Sequence, residues 1–284
     1  MEMELAVRGL APDTCAMSQE EYLLLNELVS CQFGIAFPEH KRDLLEARLR
    51  PRLQALHLRR FFDYYLLLQC DRNGERERLV ELVTNNETFF FRETGQFEAF
   101  FAEAARTPRG GRKLRLLCAG CSSGEEPYTL AIFAQQNVLT MSGAAVEIDA
   151  FDLDHSRIEM ARRAEYGRSA LRSLEPQQVD RYLARVAPER WSLKPFYRAG
   201  VRFAPGNILE LPSFQPAVPY DAVFCRNVLI YFSEPALHRA VDHFAEVLRP
   251  GGLLFLGAAE SIIGLSPRFE TVRLSRSIVY RKVE

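Results

Sequence analysis

The chain has 284 residues, 48% of them hydrophobic and 26% charged, with a formal net charge of -1. This is length for roughly two domains with a sizeable core, and the near-zero charge supplies no global field for nucleic acid. No apolar run reaches the roughly 20 residues of a bilayer span. The N-terminus, with Glu2 and Glu4, lacks the layout of a secretory signal, so a cytoplasmic protein with no membrane insertion is expected; a monomer is expected as well.

Residues before about 90 read as helical. Ser18 and Glu21 form a capping box ahead of Tyr22, Leu23, Leu25 and Leu28. Pro38 suits a first helical turn, and an amphipathic stretch follows to about His57. Two further helices are expected around residues 61–68 and 75–83. If residues 40–60 form one helix, Lys41, Arg48, Arg52 and Arg59 share a stripe beside Leu45, Leu49, Leu53 and Leu56. Such a face is either a binding surface or merely solvated, and Pro51 is expected to kink it. Next comes Thr84-Asn85-Asn86-Glu87-Thr88-Phe89-Phe90-Phe91-Arg92-Glu93, on its own an aromatic hinge whose polar residues cap the following helix.

From about residue 113 short apolar strands alternate with helices. Strands are expected at 114–118, 145–151, 201–204, 221–225 and 253–257, and helices at 125–139, 155–166 and 234–248. That order implies a parallel sheet covered by helices, with ligands outside the carboxyl ends of the strands. Residues 186–200, which hold the single tryptophan Trp191, interrupt the pattern. Residues 269–274 and 277–282 read as a closing antiparallel hairpin.

The most informative stretch is Leu114-Arg115-Leu116-Leu117-Cys118-Ala119-Gly120-Cys121-Ser122-Ser123-Gly124-Glu125-Glu126-Pro127. A helix start normally invites phosphate, but two carboxylates already occupy this one. They suit the helix dipole and repel a diphosphate, whereas a positively charged nucleoside such as S-adenosyl-L-methionine is welcome. The plainer alternative is a strand–turn–helix whose acidic turn only caps the helix. The next strand ends Phe151-Asp152-Leu153-Asp154, where an acid can accept hydrogen bonds from both ribose hydroxyls of a nucleoside. Asp154 is expected to cap the next helix. Cys118 and Cys121 have the spacing of a redox pair, or are simply small residues under a ligand. No second pair completes a zinc site, and the histidines lack ligand spacing, so no metal is expected.

Five strings in order extend this reading: Asn86-x-Thr88-x-Phe90-Phe91-Arg92; Gly124-Glu125-Glu126-Pro127-Tyr128; Asp152-Leu153-Asp154; Cys225-Arg226-Asn227-Val228-x-Ile230-Tyr231-Phe232; and Pro250-Gly251-Gly252-Leu253-Leu254-Phe255-Leu256-Gly257 with Glu260-Ser261. Together they resemble the CheR family of chemotaxis-receptor glutamate methyltransferases over roughly residues 18–283. The resemblance implies an α/β protein. An all-α receptor-recognition domain (1–90) would precede a Rossmann-like S-adenosylmethionine-dependent methyltransferase domain (91–284), with a small β-subdomain inserted at about 186–200. The implied reaction carries methyl to glutamate side chains of methyl-accepting chemotaxis proteins, leaving S-adenosyl-L-homocysteine.

By the same resemblance Asn86, Thr88 and Arg92 reach the cofactor, Glu125 holds its amino-acid portion, Asp152 its ribose, and Asn207 and Ile208 flank the adenine. Arg226 and Asn227 stand at the fourth strand's end. Arg92 and Tyr231 are the candidates to hold the acceptor carboxylate. Lys41, Arg48, Arg52 and Arg59 are the candidates to meet the receptor's glutamate-rich helices. Some family members dock on a receptor's C-terminal pentapeptide through a glycine-rich loop of the β-subdomain. The corresponding Arg185-Val186-Ala187-Pro188-Glu189-Arg190-Trp191 has no glycine, so pentapeptide independence is expected. The alternatives are an idle S-adenosylmethionine-binding adaptor and a Cys-x-x-Cys oxidoreductase.

Overall fold

The computed structural model describes residues 15–70, 74–106, 112–137, 145–210, 218–275 and 277–283. The chain divides into two compact units, Met1–Thr84 and Asn85–Glu284. Residues 85–90, expected with the helical domain, therefore belong to the second unit.

The first unit holds α1 (Gln19–Phe33), a 3-10 turn (Glu39–Lys41), α2 (Arg42–Ala55), α3 (Phe61–Cys70) and α4 (Glu75–Val83). The Ser18 hydroxyl accepts from the Glu21 amide at 3.1 Å, and the Glu21 carboxylate accepts from the Ser18 amide at 2.8 Å. The capping box is therefore complete, and two unpaired donors are satisfied at the start of α1. Leu25, Leu45, Leu49, Leu53, Tyr64, Leu68 and Leu79 are fully buried and form the interior.

The amphipathic stretch expected to reach about His57 forms α2, but not the single helix over 40–60 that would align the whole basic stripe. α2 stops at Ala55, His57 takes a left-handed φ of +56°, and the amides of His57 and Leu58 return to the carbonyls of Gln54 and Leu53. This is a Schellman closure with histidine in the place glycine usually takes. Pro51 lies inside α2.

The second unit opens with α5 (Gly95–Arg106) and then alternates: β1 (Leu114–Ala119), α6 (Glu125–Gln136), β2 (Val146–Asp152) and α7 (His155–Arg163). The last part of the helix expected to reach residue 139 lies outside the described residues. There follow β3 (Glu165–Tyr166), α8 (Pro176–Tyr182), β4 (Leu183–Ala187), β5 (Arg190–Leu193), α9 (Pro195–Arg198) and β6 (Val201–Pro205). β7 (Tyr220–Cys225), α10 (Glu234–Val247), β8 (Leu248–Leu256), β9 (Phe269–Leu274) and β10 (Ser277–Lys282) complete it. The main sheet has the order β6-β2-β1-β7-β8-β10-β9. β6, β2, β1, β7 and β8 run parallel, and β10 pairs antiparallel with both β8 and β9. Strand order reverses beside β1, so the crevice lies outside the carboxyl ends of β1 and β7.

Side-chain alternation along these strands supplies two cores. Leu114, Leu116 and Cys118 face Phe97, Phe101 and Phe133, while Leu117 and Ala119 join Val223, Phe244 and Leu254 on the other side. Each fully buried large apolar side chain contributes on the order of 1.5–3 kcal/mol.

The small sheet has the order β3-β5-β4 and begins at Glu165, well before the expected 186–200. α7 ends earlier than expected: Ala164 turns left-handed (φ +53°), and Tyr166 pairs with Trp191 instead of extending the helix. No helix among the described residues is long and apolar enough to cross a membrane.

Candidate active site

The loop from β1 to α6 is shaped by close packing. Gly120 (φ +78°) leaves room for Val228, whose methyl carbon would lie 2.6 Å from an added Cβ. Gly124 (φ +92°) likewise lets α7 approach, with the Ala161 Cβ 2.8 Å from an added Cβ. These contacts lay the loop across the strand ends.

Asp152, at the end of β2, holds that loop in place. Its carboxylate accepts from the Ser122 amide at 2.7 Å and the Asp154 amide at 2.9 Å. Burial pushes its carboxyl up to about 6 despite those two donors. Glu125, the first residue of α6, is 3% exposed, and its two oxygens share the Ser123 hydroxyl hydrogen at 3.1 and 2.9 Å. Burial pushes it up to about 7. Two carboxylates with raised pKa at a strand–helix junction are short of positive charge. A sulfonium and an ammonium group relieve that deficit and a diphosphate deepens it, so these residues fit S-adenosylmethionine.

Asp154 caps α7 as expected, accepting from the amides of Ser156 and Arg157. Its second oxygen accepts from Asn86 Nδ2 at 2.9 Å, and the Asn86 carbonyl accepts from the Ser122 hydroxyl. The preceding residue, Asn85, donates from Nδ2 to the Tyr231 hydroxyl oxygen at 2.6 Å. Two neighbouring asparagines thus connect Tyr231, beyond β7, with the end of β2. Further on, Arg92 donates to the Glu87 carbonyl at 3.2 Å. The Phe89 ring is faced by two guanidiniums, Arg172 at 3.7 Å and Arg92 at 5.6 Å.

β7 runs out into Arg226-Asn227-Val228-Leu229-Ile230-Tyr231. The Arg226 side chain is 1% exposed and lies between Glu126 (3.0 Å) and Glu93 (3.2 Å). It also donates to the Arg92 carbonyl and stacks 4.8 Å from the Phe97 ring centroid. Asn227 is left-handed (φ +61°), and the backbone after it is held by the Glu260 carboxylate.

Residues 86–278 match the family model described as CheR methyltransferase, SAM binding domain, and residues 20–84 match CheR methyltransferase, all-alpha domain. The chain is 36% identical over 256 residues to chemotaxis protein methyltransferase 1 of Pseudomonas aeruginosa, covering 87% of this chain and 92% of that one. It is 35% identical over 258 residues to the chemotaxis protein methyltransferase of Escherichia coli, covering 89% and 88%. This chain belongs to the CheR methyltransferase family. It is an S-adenosylmethionine-dependent chemotaxis methyltransferase, an all-α domain followed by a mostly parallel α/β domain.

The CheR domain places its expected site residues unevenly. Asn86, Glu125 and Asp152 join one hydrogen-bonded group around Ser122 and Ser123. Thr88 is half-buried in the same segment. Asn207 lies just past β6, its side chain accepting from the Leu209 amide, and Ile208 is buried with its carbonyl bonded to His243. The Gly206 amide donates to the Asp152 carbonyl, which brings this stretch to the end of β2.

Arg226 stands at the end of β7 as expected, with its side chain turned inward between two glutamates. Cys118 and Cys121 are unbridged and buried, and burial pushes both thiols well up, away from the thiolate that redox exchange needs.

In the all-α domain the basic stripe is divided. Arg48 donates to the carbonyls of Val83 (2.6 Å) and Thr84 (3.2 Å), and Arg52 makes a two-point pair with Glu75 (2.8 and 2.6 Å). Lys41 and Arg59 are exposed and lie on either side of α2 rather than on it. Glu260 belongs to one of the five motif strings and Asn85 neighbours a motif asparagine, but residue spacing gives neither a role.

Proposed function

We propose that this methyltransferase carries methyl from S-adenosyl-L-methionine to glutamate side chains of methyl-accepting chemotaxis receptors during bacterial chemosensory adaptation. The products are γ-glutamyl methyl esters and S-adenosyl-L-homocysteine. It acts as a cytoplasmic monomer, with no nucleic acid and no insertion into the membrane. The supporting observation is the pair of asparagines that joins Tyr231 to the carboxylate-lined end of β2.

The bound cofactor supplies an electrophilic methyl on a positively charged sulfur. Glu125 faces the ammonium of the cofactor's amino-acid portion, Asp152 accepts from its ribose hydroxyls, and Asn86, Thr88, Asn207, Ile208 and Asn227 line the rest of its site. The acceptor glutamate is ionised at neutral pH, so the enzyme needs no strong base and works by positioning. Because Asn85 donates to the Tyr231 oxygen, the phenolic hydrogen is left to donate to the acceptor carboxylate. Arg92 offers its fork of donors to the same oxygen, which leaves the second oxygen to attack.

Arg92→Ala and Tyr231→Phe test this. Each is expected to slow methylation of a receptor cytoplasmic fragment by about 10²-fold, with a smaller change in S-adenosylhomocysteine affinity. Wild-type turnover in both variants would remove these side chains from the chemistry.

Receptor recognition falls to Lys41 and Arg59, with Arg48 and Arg52 supporting the helical domain that carries them. The link between β4 and β5 is only Pro188-Glu189, without glycine, which favours independence from a receptor pentapeptide.

A further inference from the structure

The turn that carries Tyr231 has little to hold itself together. It contains a three-residue 3-10 helix, Leu229–Tyr231, and a left-handed asparagine. The Tyr231 amide closes onto the Val228 carbonyl, but the four amides before it, Asn227 to Ile230, all reach one side chain. Glu260 Oε1 accepts from Val228 (2.8 Å), Leu229 (2.7 Å) and Ile230 (3.3 Å), and Oε2 accepts from Asn227 (2.8 Å). Oε2 also accepts from Gly257 at 2.5 Å, where β8 leaves the sheet. The Glu260 amide closes a tight turn onto the Gly257 carbonyl (3.0 Å), which aims the carboxylate back toward β7. Gly257 has no side-chain alternative, because a Cβ there would lie 2.6 Å from Asn227 Nδ2.

We propose that Glu260 is a positioning residue for methyl transfer: it fixes the backbone of the 227–230 turn from one side while Asn85 fixes the Tyr231 hydroxyl from the other. The inference rests on the reading of Tyr231 as the group that orients the acceptor. A carboxylate is required because the cradle contains donors only, and two oxygens carry about four acceptor sites. Glutamine turns an NH₂ group onto two of the five amides. Those N–H groups lose their partners, the turn relaxes, and the hydroxyl moves by a fraction of an ångström. Displacements of that order matter, since a misplacement of about 1 Å can cost about 10²-fold in rate.

The test is a double-mutant cycle in the full chain, using labelled S-adenosylmethionine and a receptor cytoplasmic fragment at saturation, with S-adenosylhomocysteine affinity measured alongside. Glu260→Gln is expected to slow turnover by about 10²-fold while product affinity stays within about threefold. In the Tyr231→Phe background the same substitution should slow turnover by no more than about twofold, because the hydroxyl it positions is gone. Equal slowing in both backgrounds, or parallel loss of turnover and product affinity, makes Glu260 a general structural residue and overturns the proposal alone. Wild-type turnover in Tyr231→Phe overturns the reading of Tyr231 and this proposal with it. Should Glu260→Gln fail to fold, Asn85→Ala removes the other restraint from an exposed position. It is expected to slow the wild type by up to about tenfold and Tyr231→Phe not at all. Equal slowing in both backgrounds refutes the arrangement.

Discussion

In the proposed cofactor site Asp152 and Glu125 supply the buried charge, and their protonation makes a prediction. Burial raises them to about 6 and about 7. A raised carboxyl holds protons in the folded protein that the unfolded chain has released, so these two groups cost stability as pH climbs from about 4 to 7. A ligand that brings an ammonium to Glu125 and hydroxyl donors to Asp152 favours the ionised forms and drives the protons off. S-Adenosylmethionine affinity should therefore rise with pH between about 5.5 and 7.5 and then level. Calorimetry near pH 6.5 in buffers of different ionisation enthalpy should register proton release on binding. Proton uptake, or affinity independent of pH, would contradict this account of the two carboxylates.

Residue identities alone pointed to Asp152, Glu125 and the cap at Asp154, because each follows from a strand end or a helix start. They did not indicate where long side chains turn. The sequence puts Arg226 at a strand end, and its side chain lies inside between Glu93 and Glu126. Local pattern cannot fix such partners, since they sit 133 and 100 residues away along the chain.

Among the elements, α2 shows how a plausible pattern misleads. Its apolar stripe is real, with Leu45, Leu49 and Leu53 fully buried. The two basic residues beside it on the helix, Arg48 and Arg52, are spent on internal bonds. Burial pushes Glu75 up, but Arg52 and Tyr64 outweigh it and hold its carboxyl below the usual range. Arg52→Ala strands that carboxylate and should cost about 2–4 kcal/mol, toward the lower end because Arg52 is partly solvated. A folded carboxyl below its unfolded value adds stability above about pH 4.3 and loses it on acidification. The variant's thermal midpoint should accordingly lie furthest below wild type near neutrality and converge with it in acid. An unchanged midpoint at pH 7 would show that the pair contributes nothing.

The parallel strands and their helices were legible because short apolar runs and helical periodicity alternate cleanly there. β3 was not: two residues are too few to show a period, and Arg162-Arg163-Ala164-Glu165 reads as more helix. Only the pairing of Tyr166 with Trp191 decides it.

At the scale of the whole molecule, cofactor chemistry and receptor docking make separable predictions. Charge reversal at Lys41 and Arg59 together should weaken receptor methylation at low salt and leave S-adenosylhomocysteine affinity unchanged. The difference should shrink at high salt, since exposed charges are screened beyond about 8–10 Å at physiological ionic strength. Added free receptor pentapeptide should not compete in the same assay. Normal methylation by the reversed protein at low salt would leave these residues merely solvated, and competition by the peptide would place docking on the β-subdomain.

The central claim is methyl transfer to receptor glutamates, and one measurement meets it directly. The purified protein is incubated with methyl-labelled S-adenosylmethionine and receptor-enriched membranes, then the proteins are separated and treated with mild base. The account predicts label on a receptor band, released by base as methanol, and absent when Asp152 is replaced by alanine. Label that resists base, label on other proteins only, or no label with active cofactor present would contradict it.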